Sequence, residues 1–141
     1  MRSNVAYAVN AILSAFTQLT DIVSTRIEAI SMPQDADLPF IVYRQVSGVP
    51  VTSLVGDSGA IDHRVQIDCY STDYDQAATM GDYVRLAFNN ARKEYHGGCY
   101  VLSARVLGMF DLPVGPETPG TEEVIHARSV DVQIWLGVLQ F

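Results

Sequence analysis

The chain predicts an α+β fold, a mainly antiparallel sheet of about four to five strands with two main helices packed on one face. Three patterns carry that expectation. Apolar residues recur at helical spacing near the start, at Val5, Ala8, Val9, Ile12, Leu13 and Phe16. Between Ile61 and Tyr70 apolar and polar residues alternate with a period of two, as a strand with one buried face requires. After Ser71-Thr72-Asp73 a second helical stripe runs through Tyr74, Ala77, Gly81, Val84, Phe88 and Ala91.

In chain order, the first helix is expected from Asn4 to Gln18, capped by Ser3 or Asn4, with Thr20-Asp21 opening a short turn before Ile22 and Val23. Arg26 to Ile30 alternates weakly and reads as a short strand or an extended connector. Met32 to Asp37 is a polar loop closed by Leu38-Pro39, and Phe40 to Val46 is a strand whose preceding proline sits where a missing amide donor is harmless. Ser47 to Ala60, rich in Gly, Pro and small residues, is expected to be a long loop. In the strand that follows, Ile61, His63, Val65, Ile67 and Cys69 face the core, while Asp62, Arg64, Gln66, Asp68 and Tyr70 face away. The second helix begins at Thr72 or Asp73 and runs to about Lys93, with Ala77, Ala78 and Gly81 allowing close approach to the sheet. Gly97-Gly98 ends the connection to a long strand, Tyr100 to Phe110. The Pro/Gly/acidic loop Leu112 to Glu123 separates it from a last strand, Val124 to Val138.

A length of 141 residues fits one domain spanning 1–141, and 48% hydrophobic content fills a core without disulfides or metal. With 9 basic against 16 acidic residues, the net charge of -7 argues against the phosphate backbone as a bound partner. An acidic wall can nevertheless line a channel through which DNA slides without sticking. Cys69 and Cys99 have neither metal-ligand spacing nor a disulfide framework, which suits a reduced, cytoplasmic setting. The apolar start is interrupted by Asn10 and Gln18 and lacks a cleavage site, so no secretory signal is expected. No run approaches the ~20 apolar residues of a membrane span.

Chemistry is sparse. His63, His96 and His126 are isolated, so no metal site is expected. Asp68 and Asp131 lie on polar strand faces and have the residue type of a paired-carboxylate site, but no aromatic saccharide platform accompanies them; a cross-strand arginine, Arg64 or Arg128, is the simpler partner. Nucleophile elbow, phosphate loop and dinucleotide fingerprint are all missing, so neither cofactor nor catalysis is expected.

Contact surfaces are the better candidates. The segment Ser47 to Ala60 carries Val49, Pro50, Val51, Leu54 and Val55 without an obvious local burial site, which makes it a candidate interface with a neighbouring chain, the alternative being a loop folded back on its own sheet. On the uncovered sheet face Tyr70 and Trp135 offer a second interface. Leu112, Pro113, Val114, Glu117, Glu122 and Glu123 form a loop suited to docking on a partner.

The run Leu-Pro-Phe-Ile-Val-Tyr at 38–43, the Pro50-Val51-Thr52 step, Val-Gln-Ile-Asp-Cys-Tyr-Ser at 65–71, Tyr74 and Ala77, and Val-Gln-Ile-Trp at 132–135 together resemble the tail completion, or tail terminator, proteins of long-tailed bacteriophages. Cys69 stands where that pattern leads one to expect an aliphatic residue, and the loop after Phe110 is longer and richer in proline. The resemblance implies a hexameric ring at the head-proximal end of the tail, assembled in the host cytoplasm. Such a ring halts growth of the tail tube, presents a surface to the head-tail connector, and lets DNA pass without specific binding. A neck or head-completion protein is the alternative within assembly, and a small-ligand-binding domain the alternative outside it.

Overall fold

The computed structural model describes residues 4–32, 37–53, 56–89, 91, 93–112 and 124–137, with backbone alone for residues 53 and 56–58. The elements, in order, are α1 (Val5–Ala15), α2 (Thr17–Val23), β1 (Ile27–Ala29), β2 (Phe40–Ser53), β3 (Gly56–Ser71), α3 (Tyr74–Asn89), β4 (Glu94–His96), β5 (Cys99–Leu112) and β6 (His126–Gly137).

The helices form where the spacing predicts them, with two differences, the first being that α3 ends at Asn89 and does not reach Lys93. Asn4 caps α1 by accepting the Ala6 N–H at 3.0 Å, and Asp73 caps α3 by accepting the Asp75 N–H at 3.0 Å. The expected first helix, however, is two helices, because Phe16 is extended (φ -89°, ψ 103°) and its carbonyl accepts from both Leu19 and Thr20. The break turns Leu19 and Val23 into the core while the Phe16 ring meets Tyr83 of α3 at 6.0 Å.

The strands form one six-stranded sheet in the order β1-β2-β3-β6-β5-β4. The expectation of a mainly antiparallel sheet of about four to five strands is therefore corrected in number, to six. Two three-residue strands, β1 and β4, extend the edges, and β1 runs parallel to β2. Of the two readings of Arg26 to Ile30 the strand holds, at Ile27–Ala29, and Gly97 and Gly98 (φ 58° and 82°) form the tight β4–β5 turn. At Gly97 an added Cβ would lie 2.2 Å from the Tyr7 carbonyl oxygen, so α1 packs directly on the turn backbone.

The second correction concerns Ser47 to Ala60. This segment is not a loop; β2 and β3 continue as one long hairpin, paired from Phe40↔Tyr70 to Ser53↔Gly56. Its Gly and Pro residues punctuate without breaking, because Pro50 lies on a strand whose outer side has no neighbour there among the described residues. A bulge at Val46 interrupts the β2–β3 register, and bulges at Leu102 and Leu107 interrupt β5–β6.

The core lies between the helices and one face of the sheet. Ile41, Tyr43, Val65, Ile67, Cys69, Val130, Val132, Ile134 and Leu136 pack beneath Val9, Leu13, Leu19, Met80, Val84 and Phe88. Alternation along β3 is as predicted for its core face, but Asp68 on the other face is also buried.

Candidate functional site

No helix covers the second face of the sheet among the described residues, and a ladder of polar side chains crosses its middle. The register puts Arg44 opposite Gln66, Gln66 opposite Asp131, Arg64 opposite Gln133, and Gln133 opposite Arg105. Arg44 donates to Gln66 Oε1 at 3.2 Å, and Gln66 in turn donates to Asp68 Oδ1 at 3.0 Å. Arg64 forms an ion pair with Asp131. The Gln133 amide donates to both oxygens of Asp62, at 3.0 and 2.8 Å, while its Oε1 accepts from Arg105 Nε at 2.7 Å. Three arginines thus balance three aspartates in charge across four strands: Arg64 pairs with Asp131 directly, while Gln66 and Gln133 stand between the other two arginines and the carboxylates of Asp68 and Asp62. Asp68 and Asp131, the residues with the types of a catalytic carboxylate pair, are tied up in this way. Arg64 takes Asp131 as expected of a cross-strand partner, whereas Asp68 is satisfied by Gln66 and not by an arginine.

Aromatic residues lie at the two ends of the ladder. Phe40 and Tyr70 stack at 5.1 Å near Phe110 and Leu112, and beneath them Asp68, Ala127 and Ser129 are buried. Burial raises the Tyr70 pKa, Asp68 adds to the shift, and Arg44 opposes it. Trp135 is level with Asp62 and Ser103, while Tyr70 is level with Ala127. Tyr70 and Trp135 are therefore not brought together; they lie about 26 Å apart along the strands, given ~3.3 Å per residue.

Arg128 is on the opposite, helix-facing side. It packs against Gly81 of α3 and donates to Asp111 Oδ1 at 2.8 Å and to the Tyr74 hydroxyl at 3.2 Å; that hydroxyl donates to Asp111 Oδ2 at 2.9 Å. Burial opposes the Arg128 charge, but Asp111 and Tyr74 outweigh it and raise the pKa. The cluster joins the start of α3 to the strand ends that flank residues 113–123. Sequence reasoning missed it: alternation puts Arg128 on the core side of β6, but does not show that Gly81, Tyr74 and Asp111 converge on it there.

Val49 and Pro50 are exposed on the β2 part of the hairpin, Val51 is half-buried, and Leu112 ends β5. Leu54, Val55, Pro113, Val114, Glu117, Glu122 and Glu123 lie outside the described residues. His63 is buried with neither ring nitrogen hydrogen-bonded, and burial lowers its pKa, with Asp62 pulling the other way. Three surface hollows, two of about 250 Å³ and one of about 620 Å³, are lined by neither His63 nor Asp68. No group of three or more metal-ligating side chains occurs among the described residues, and no helix there is long and apolar enough to cross a membrane.

The described family model "Tail completion protein gp17" matches residues 7–136. Among solved structures, a chain in the virion of a native gene transfer agent particle superposes with a TM-score of 0.72 at 12% identity, covering 96% of this chain and 99% of that one. That likeness is one of fold. No curated protein sequence matches the chain.

Proposed function

Because the chain belongs to the phage tail completion protein family, a family of structural tail proteins, we propose that it is a tail terminator subunit. Copies form a hexameric ring on the head-proximal end of the tail tube, stop tube growth and offer the exposed rim to the head-tail connector. The observation that carries this reading is the family match through every helix and strand, from α1 to β6. A sheet face whose charges neutralise one another supports it. Such a surface desolvates at lower cost than one with unpaired carboxylates, because its polar groups keep their partners when water leaves. Val49 lies in the same row and on the same face as Trp135, so that face and the hairpin edge beside it form one contact surface, and the opposite edge of the sheet is the dissimilar second one that a head-to-tail ring needs. Leu112 to Glu123 then docks on the tube or the connector.

Net charge of -7 suits a bore for DNA, since a negative wall gives the phosphate backbone no hold. The function is geometric, and no catalytic step is assigned. The test is tail length: lysates lacking this chain should contain overgrown tubes, and purified chain added during assembly should restore a uniform length. Tubes of normal, uniform length without the chain would refute the terminator role.

A further inference from the structure

Two stretches of strand have no neighbouring strand on their outer side among the described residues. β1 pairs with β2 only at Ile41–Tyr43, and β4 pairs with β5 only at Cys99–Val101. Beyond those short strands, Arg44–Pro50 borders one side of the sheet and Ser103–Leu112 the other. Followed across the ladder, Arg44 is level with Gln66, Asp131 and Gly108, and Val49 is level with Asp62, Trp135 and Ser103. The open stretches Arg44–Val49 and Ser103–Gly108 therefore stand at the same height on opposite edges. Pro50, without an N–H, closes the first of them at the row where β4 begins to cover β5.

Both stretches expose aliphatic residues at their bulges, Val46 at 56% and Leu107 at 41%. Edges that must stay unpaired are usually guarded by charge, proline or bulges; here each stretch carries one arginine, Arg44 or Arg105, and no lysine, and each bulge presents an aliphatic side chain. Beside the β2 edge a hollow of about 250 Å³ opens between Val5, Val9, Ile30, Tyr43, Gln45 and Val65. Leu107 lies at that height on the far edge. Strand polarity also matches: β2, β3, β6 and β5 alternate in direction, so β5 and β2 are antiparallel. Copies related by rotation about an axis along the strands would bring β5 of one beside β2 of the next in the antiparallel sense that the central strands already use.

We infer that a second copy of this chain is the partner of both edges. The Ser103–Gly108 stretch of one copy adds to the Arg44–Val49 stretch of the next, with Leu107 seated in the hollow beside β2. This inference rests on the ring reading above and names its repeating contact. Using opposite edges makes the contact head-to-tail, as closure of a ring requires.

Paired cysteines test it. Ser47→Cys with Arg105→Cys, and Val49→Cys with Ser103→Cys, place thiols at matching heights on the second face; wild-type Cys69 and Cys99 are buried. Oxidation of either double variant, in solution and on tail tubes, should give a ladder of covalent multimers on denaturing gels. A Ser47→Cys chain mixed with an Arg105→Cys chain should stop at dimers, and neither alone should cross-link. Rings visible by negative stain without any ladder from either pair would overturn edge pairing while leaving the ring reading intact. No rings and no ladder would overturn both.

Discussion

His63 is where the fold takes the clearest position on a single side chain. The β3 alternation assigned it to the core, and the structure buries it to 5% exposure with both ring nitrogens unpaired. Burial holds its folded pKa below the ordinary 6.5, so the neutral imidazole is the form the fold accepts. The unfolded chain takes up a proton first as pH falls. His63 therefore contributes its full stability above about pH 6.5 and loses it as pH drops from there toward the folded value. His63→Leu should remove that loss: denaturant titrations at about pH 8 and pH 5.5 should show the variant losing less stability on acidification than the wild type. An identical pH slope for the two proteins would refute the assignment. Arg128 shows where sequence reading fails at this scale. Period-two alternation predicts which way its side chain points, but not that Gly81 leaves room for it or that Asp111 and Tyr74 hold its head group.

At the scale of elements, α3 shows how a sequence signal and a packing requirement coincide. Gly81 lies on the predicted stripe, and an added Cβ would fall 2.7 Å from Arg128 Cγ. Alanine is the better helix former by about 1 kcal/mol, yet the tethered arginine cannot withdraw without losing Asp111 and Tyr74, so Gly81→Ala should destabilise by about 1–3 kcal/mol. Phe88, fully buried on the same helix, should cost about 3–5 kcal/mol on Phe88→Ala. Equilibrium unfolding checks both, and a stabilised Gly81→Ala protein would contradict the packing account. The β2–β3 hairpin was illegible for a physical reason. Gly48, Pro50, Gly56 and Gly59 are the residues that mark turns, and only the sheet order reveals that Pro50 lies on a strand with an open side, where those residues are tolerated. β4 was hidden differently, since three residues are too few to display a period, and for the same reason β1 was legible only as a short strand or an extended connector.

For the whole molecule, the class of fold was legible and the surface was read only in part. Tyr70 and Trp135 do share a face, as alternation implies, but the ladder between them depends on a register that no single segment contains. With a net charge of -7 and that ladder internally neutral, the chain should not retain duplex DNA even at low salt, and retention in a filter assay would contradict an inert bore. The most direct test of the ring is molar mass by light scattering over a concentration series, with negative-stain images of the same fractions and of fractions mixed with tail tubes. The account predicts six-fold rings of six chain masses, free or seated on one end of the tubes; a monomer that neither forms rings nor caps tubes would contradict it.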